Sequence, residues 1–407
     1  MNVELQINNS VNANARFITW APSPCRVRVT NPTGAAGPTV TVQLTGLSTA
    51  GGGAIMLRKS TTGAFSPSVT LQVPTNGSSV AFFVAGKFGK ASVSSGDVKL
   101  EAKVGTAIVG SVPLMVRIRK NATKLTTAER DRFIAAFAQL NNQGLGRFQD
   151  FRDMHRTQAS LNQAHGAAGF LAWHRAYLLD LERELQAIDS AVALHYWRFD
   201  QAAPSLFSLD FLGTSDQVGT VSFSPSNPLR FWVIDGIPGI NRRPLFNPTQ
   251  APGGLRTEAQ TLAIGSTYSQ FRTMEGDPHG LAHTSFGGSI QTPSTAPKDP
   301  LFFLLHCNVD RLWAKWQRQN RRFDPAVAAS YQGGVNPLGH NLNDSMWPWN
   351  GATTPPRPPI APGGTLAPSP CTAAPGPQPL VRSCLDFQGS VAAAARMGFD
   401  YDDTPLA

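Results

Sequence analysis

FLAWHRAYLLDLERELQAI, residues Phe170–Ile188, repeats its large apolar side chains at intervals of three and four: Phe170, Trp173, Tyr177, Leu181 and Leu185. That period predicts an amphipathic helix with one face in a core. His174 rides on this helix among apolar neighbours, and working outward from it finds His165 and His155 upstream. Downstream, DPLFFLLHCNVDRLWAKWQRQ (Asp299–Gln319) has the same period, tolerates Pro300 in its first turn and carries His306. MEGDPHGLAH, ahead of that second helix, supplies His279 and His283. Six of the eight histidines therefore fall into two sets of three, so the helical part of the chain is organised around two groups of imidazoles.

Three neutral imidazoles form a donor set that suits copper, zinc, iron or nickel, and two such ions face to face can clamp one small molecule. His279 and His283 are i and i+4, which on a helix places both rings on one face. His306 would complete that triad from the next helix. His155, His165 and His174 are too widely spaced to share one helical face and require a loop between helices. An H-x-x-x-H spacing also occurs in zinc proteases, but there a Glu follows the first His as general base. Here that position is Gly280, which removes the protease mechanism. His195 and His340 read as structural, and Cys307, about 100° around the helix from His306, reads as a packed thiol.

Outside the helices the chain changes character. Residues 1–119 contain no histidine and alternate in the strand manner through VELQI, RFITW, CRVRVT, TVTVQLTG, SVTLQV, SVAFFVAG, VKLEAKV and LMVRIR, with turn residues between them. This predicts an antiparallel sandwich of about eight strands, immunoglobulin-like in architecture, serving packing or assembly. Thr126–Glu129, TTAE, has the form of a capping box opening the first helix. Residues 120–407 then form a mainly helical second domain, in which 204–252 reads as irregular structure lining a site. Residues 351–379 hold ten prolines and read as an inserted linker or cover.

Composition narrows the function classes. No apolar run approaches the roughly 18 residues of a membrane span, and the opening MNVELQINNSV lacks a secretory pattern, so the expectation is a cytoplasmic protein. The net charge of +9 comes from scattered Lys and Arg, densest at Arg318, Arg321 and Arg322, without a nucleic-acid-binding module. Four cysteines without a CxxC pair weakly favour a reducing compartment, although Cys371 and Cys384 are near enough in sequence to bridge. A basic chain with an edge-rich sandwich is also a candidate homo-oligomer.

The flanks of the histidines carry a resemblance. HGAAGFLAWHRAYLLDLE (His165–Glu182) resembles the first-copper signature of tyrosinases and related type-3 copper proteins, and DPLFFLLHCNVD (Asp299–Asp310) resembles the second. VRSCLDF and MGFDYDD resemble the closing segment of plant polyphenol oxidases, so the resemblance runs from about Lys120 to Asp402. It implies a four-helix bundle holding two copper ions, the first by His155, His165 and His174 and the second by His279, His283 and His306. It also implies dioxygen and a phenolic substrate, with o-diphenols oxidised to o-quinones and some o-hydroxylation of monophenols. Asp310 and Arg175 are expected as buried polar partners that orient the rings. Glu275 matches the family glutamate that holds a water near the second copper and takes a phenol proton.

Departures from the family pattern sharpen the expectation. Strong phenol hydroxylases often carry Asn where this chain has Gly280, and the position after His283 is the uncharged Thr284, so Glu275, Gly280 and Thr284 decide the balance between monophenol and diphenol. Gln163 stands where some members have a Cys linked to a histidine, so no thioether is expected and packing must hold His165. No C-terminal plug is expected, which leaves the insertion or the sandwich as candidate covers. The alternatives are an o-aminophenol oxidase and a dioxygen carrier resembling a haemocyanin unit.

Overall fold

The computed structural model describes residues 1–141, 148–333, 338–349 and 380–406. Two compact units emerge: one from Met1–Ile118 with Arg396–Leu406, the other from Arg119 onward with residues up to Ala395. The Pro-rich stretch 351–379, expected as a linker or cover, lies outside the described residues, as does Cys371.

The first unit is β-rich, with strands β1 (Asn2–Ile7), β2 (Phe17–Ile18), β3 (Ser23–Asn31), β4 (Thr39–Ser48), β5 (Ile55–Arg58), β6 (Ser68–Pro74), β7 (Val80–Gly86), β8 (Val98–Val104) and β9 (Ala107–Val116). They form a four-stranded sheet ordered β1-β3-β7-β5 and a five-stranded sheet ordered β2-β9-β8-β4-β6. Strict alternation builds the core: Val40, Val42 and Leu44 of β4 point inward beside Val69, Leu71 and Val73 of β6, while Thr39, Thr41 and Gln43 face out. Pairing is antiparallel throughout except for β2 and β9, which run parallel. β5 has no counterpart among the expected strands, and β9 starts seven residues before the expected LMVRIR and ends at Val116.

The expected boundary, with everything from residue 120 in the helical domain, is corrected at the C-terminal end, because Arg396–Leu406 belongs to the β-rich unit. The physical reason is Trp20, buried to 2% exposure, whose polar groups need acceptors. Its indole N–H donates to the Tyr401 carbonyl (2.9 Å) and its backbone N–H to the Asp400 carboxylate (2.9 Å).

The second unit is mainly helical: α1 (Thr127–Asn141), α2 (Phe148–Arg156), α3 (Gln158–Ala164), α4 (Phe170–Ile188), α5 (Glu258–Leu262), α6 (Tyr268–Phe271), α7 (Leu281–Thr284) and α8 (Leu301–Asn320). The capping box before α1 forms: the Glu129 N–H donates to Thr126 Oγ1 (3.2 Å) and the Thr126 N–H to Glu129 Oε2 (3.0 Å). α8 is tied down at its start, where Asp299 accepts from the Leu301 N–H and, at 2.7 Å to each oxygen, from the fully buried Arg242. Between α4 and α5 the described chain forms short strand pairs, β10–β11 (Thr214–Ser215 with Val221–Ser222) and β12–β13 (Val233–Ile234 with Ile237–Pro238), and a 3-10 turn at Pro228–Phe231. A further strand, Arg242–Pro244, pairs with Phe286–Gly288 just after α7. No described helix is long and apolar enough to cross a membrane.

α4 packs against α8. Between them Asp310 accepts from Arg175 Nε (2.6 Å) and Arg119 Nη1 (3.2 Å), and Arg119 also reaches Glu182 (2.7 Å); all four side chains are at most 2% exposed. The expectation for Asp310 and Arg175 is thereby half met: both are buried, yet they bond each other and tie the helices together instead of orienting a ring. Nδ1 of His306 has no hydrogen-bond partner among the described residues.

Candidate metal centre

Six elements of the second unit deliver the six histidines to one place. His155 lies in the last turn of α2, His165 directly after α3, His174 in α4, His283 in α7 and His306 in α8. His279 sits in a single π-helical turn, Gly276–Gly280, that runs into α7. Hence His279 and His283 do share a face, on a much shorter helix than their spacing alone suggests.

Each triad is compact. One ring nitrogen from each of His155, His165 and His174 lies within 4.8 Å of the others, and the same holds for His279, His283 and His306. The triads are neighbours, since the His174 and His306 rings stack at 4.1 Å. Phe302 packs at 4.2 Å on His306, and Phe170 at 4.9 Å on His279, so aromatic carbon shields the imidazoles.

Hydrogen bonding decides which nitrogen points inward in four of the six rings. Nδ1 of His174 donates to the Phe170 carbonyl (2.9 Å), that of His279 to Glu275 (2.7 Å), that of His283 to Ile290 (2.7 Å) and that of His165 to Leu161 (3.3 Å). A neutral imidazole that donates from Nδ1 keeps a bare lone pair on Nε2. Nε2 of His283 lies 3.1 Å and Nε2 of His279 3.3 Å from Nε2 of His306; in the other triad, Nε2 of His174 and His155 are 3.4 Å apart. Nδ1 of His155 and of His306 has no partner among the described residues, so each ring is free to carry its proton there; all six Nε2 lone pairs then face inward, and lone pairs this close repel unless a cation sits between them. Two nitrogens bound to one ion at about 2.0 Å with a tetrahedral angle would be roughly 3.3 Å apart, so the residues present fit a metal ion in each triad.

Electrostatics agrees with that fit. Burial lowers the basicity of all six rings: His165 and His283 fall to about 4, and His155, His174, His279 and His306 well below the ordinary range, with mutual repulsion among the rings adding to the effect in all but His165. The rings are therefore neutral at neutral pH, as metal binding requires.

Glu275 links the two halves. Its backbone carbonyl holds His279, and its carboxylate accepts from the N–H of Gly166, next to His165, at 2.6 Å. Burial pushes the carboxyl up to about 7, opposed by the Gly166 N–H and the Arg272 charge. Gly280 presents no side chain, and a Cβ there would meet only the Glu275 carbonyl, at 3.3 Å. Thr284 is exposed, and its hydroxyl donates back to the Gly280 carbonyl (3.1 Å). Gln163 makes no contact resembling a thioether; its side-chain oxygen accepts from the Trp347 N–H (2.9 Å).

Residues 145–319, which span all six histidines, match the common central domain of tyrosinase. Tyrosinase of Streptomyces antibioticus is 32% identical over 267 residues, covering 58% of this chain and 94% of that protein. The chain belongs to the tyrosinase family. Tyrosinase of Streptomyces glaucescens is 34% identical, covering 57% of this chain and 92% of its own. A functional unit of octopus hemocyanin superposes with a TM-score of 0.48 at 21% identity, covering 71% of this chain and 68% of that one. Members of the tyrosinase family are binuclear copper proteins, and the two histidine triads fit a dinuclear copper site. The protein is accordingly a tyrosinase-like type-3 copper oxidase.

Sequence reading missed the parts of this site that lack a side-chain signature. The carbonyls of Leu161, Phe170, Glu275 and Ile290 aim four rings, and any residue can provide a carbonyl. His340 did have a signal, being one of only eight histidines.

Proposed function

We propose that this oxidase converts o-diphenols to o-quinones with dioxygen, two diphenols and one dioxygen giving two quinones and two waters, with weaker o-hydroxylation of monophenols. In this reading His155, His165 and His174 hold one copper, and His279, His283 and His306 the other. The observation that carries it is the convergence of Nε2 atoms to 3.1–3.4 Å in two adjacent triads of buried, neutral imidazoles, four of which already donate from Nδ1 and so leave Nε2 bare. Copper held by these two triads would supply the pair of electrons that dioxygen takes up. Around them α2, α4, α7 and α8, each bearing one of the histidines, are read as a four-helix bundle, and the two sheets of the first unit as an immunoglobulin-like sandwich.

The chain's own groups account for the rest. Glu275, with a carboxyl raised to about 7, can take a phenolic proton near neutral pH, and the Gly166 N–H engages one of its oxygens so that the other is left for that proton. Gly280 and Thr284 offer it no polar help, because one has no side chain and the other turns its hydroxyl back on the helix. A diphenol gives up its protons more readily than a monophenol and depends less on such help, which favours diphenols.

The test is copper content followed by initial rates on L-DOPA and L-tyrosine. Two coppers per chain, with L-DOPA turned over at least tenfold faster than L-tyrosine, is the expected result. Copper-loaded protein that bound dioxygen reversibly but did not oxidise a small catechol would overturn the proposal in favour of a carrier.

A further inference from the structure

His165 is the one imidazole of the six that neither lies within a helical turn nor is fully buried. It follows α3 directly, and its one bond, to the Leu161 carbonyl, is long at 3.3 Å. Its position depends on the loop His165–Gly169, which leads from α3 into α4.

A buried histidine from far along the chain closes the base of that loop. His340, 1% exposed, accepts at Nδ1 from the Gly169 N–H (3.0 Å), and its Nε2 donates to the Asn162 carbonyl (3.0 Å). One ring thus ties the last turn of α3 to the residue before α4, seven residues apart. The two bonds demand the neutral form with the proton on Nε2. His340 is in turn held: its N–H donates to Asp344 (3.2 Å), and its carbonyl accepts from the Tyr331 hydroxyl (3.0 Å). The fit leaves no slack. A Cβ on Gly169 would come within 2.6 Å of the Gln163 and Gly339 carbonyls and 3.0 Å of His340 Nδ1, and one on Gly339, where φ is +100°, within 2.7 Å of the Gln163 side chain. Tyr268 adds a third tie, its hydroxyl donating to the Ala168 carbonyl (2.5 Å).

We propose that His340 is a positioning residue for the first metal site: by clasping Asn162 to Gly169 it holds His165 where His155 and His174 can share an ion with it. The inference rests on the reading of these three histidines as copper ligands. Without the clasp the loop regains conformational freedom that binding must remove again. The loss falls mainly on this site, because His340 bonds the chain on either side of His165, whereas the second triad meets this loop through the bond between Glu275 and the Gly166 N–H.

The experiment is a titration of the metal-free full chain with Cu(I) under a competing chelator, with circular dichroism to verify folding. Parent protein binding two coppers tests the dicopper reading itself; fewer than two would sink that reading and leave the role of His340 a separate question answered by the variants' difference from parent. In H340A one copper is expected at parent affinity and the other weakened by about ten- to a hundredfold, as is typical when a group supporting a ligand is lost. H340N, whose side-chain oxygen can still accept from the Gly169 N–H, is expected to recover part of the loss, and it carries the test if H340A does not fold. In an H165A background, H340A should add less than twofold. Equal weakening of both sites, parent affinity at both, or a full further loss on top of H165A would each overturn the proposal.

Discussion

Asp310→Asn tests the claim that α4 and α8 are joined by a buried charge network. In the parent two guanidiniums, Arg119 and Arg175, are balanced by Asp310 and Glu182, and none of the four side chains exceeds 2% exposure. The amide keeps the shape of the carboxylate and removes its charge, leaving two buried cations against one anion. Removing one partner of a buried pair costs about 3–5 kcal/mol. For a unit of this size, each kcal/mol shifts the melting temperature by about 2–4 °C, so a drop of roughly 6–20 °C is expected. The assay is urea and thermal unfolding of copper-free protein, with the half-exposed pair Arg132–Asp189 as control, where Arg132→Gln should cost at most about 1 kcal/mol. The double variant Asp310→Leu with Arg175→Met removes one charge of each sign, and should be less destabilised than the sum of its single variants. A loss for D310N no larger than that of the control, or strict additivity in the double, would refute the reasoning.

Removing copper with a chelator is expected to lower the melting temperature of the helical unit, since an ion bound at a thousand times its Kd stabilises by about 4 kcal/mol; an unchanged melting point would count against metal binding in the folded state. His195 gives a pH test away from the metal ligands. Burial, reinforced by the Lys120 and Arg119 charges, depresses its basicity to about 3, so below its unfolded pKa of about 6.5 the unfolded chain takes up the proton and stability falls with falling pH, by roughly 2 kcal/mol at pH 5. H195N, which can still accept from the Lys120 N–H as His195 does (3.2 Å), should flatten that part of the acid limb between pH 6.5 and about 4. An acid limb of the same slope as the parent's would show that His195 does not titrate in this way. Gly280→Asn places an amide beside Glu275, in a position whose nearest obstacle is the Glu275 carbonyl at 3.3 Å; the ratio of L-tyrosine to L-DOPA turnover should rise severalfold, and an unchanged ratio would deny this position its part in selectivity.

Local pattern carried far in this chain. The helix expected at Phe170–Ile188 is α4 to the residue, and the one expected at Asp299–Gln319 is α8 displaced by two residues at its start and one at its end. Both have a long apolar period that only a helix satisfies. Strands with clean alternation, such as β4 and β6, were equally legible. β5, four residues reading IMLR, was not, because so short a stretch cannot display a period. The six candidate ligands were legible as well, since few residue types bind such metals and few histidines are present.

What the sequence determined by itself was the inventory: two sets of three imidazoles, the helices bearing most of them, and flanks that resemble one family. Tertiary structure decided how that inventory is used. Asp310, four residues after His306 and a natural guess for its partner, was claimed by Arg119 and Arg175 because two buried cations need an anion more than a neutral ring does. Glu275 meets Gly166 across 109 residues, and His340 clasps a loop 171 and 178 residues away. Such pairings leave no trace in local spacing. A backbone N–H or carbonyl has the same chemistry in every residue, so only the folded path of the chain selects which one a side chain will find.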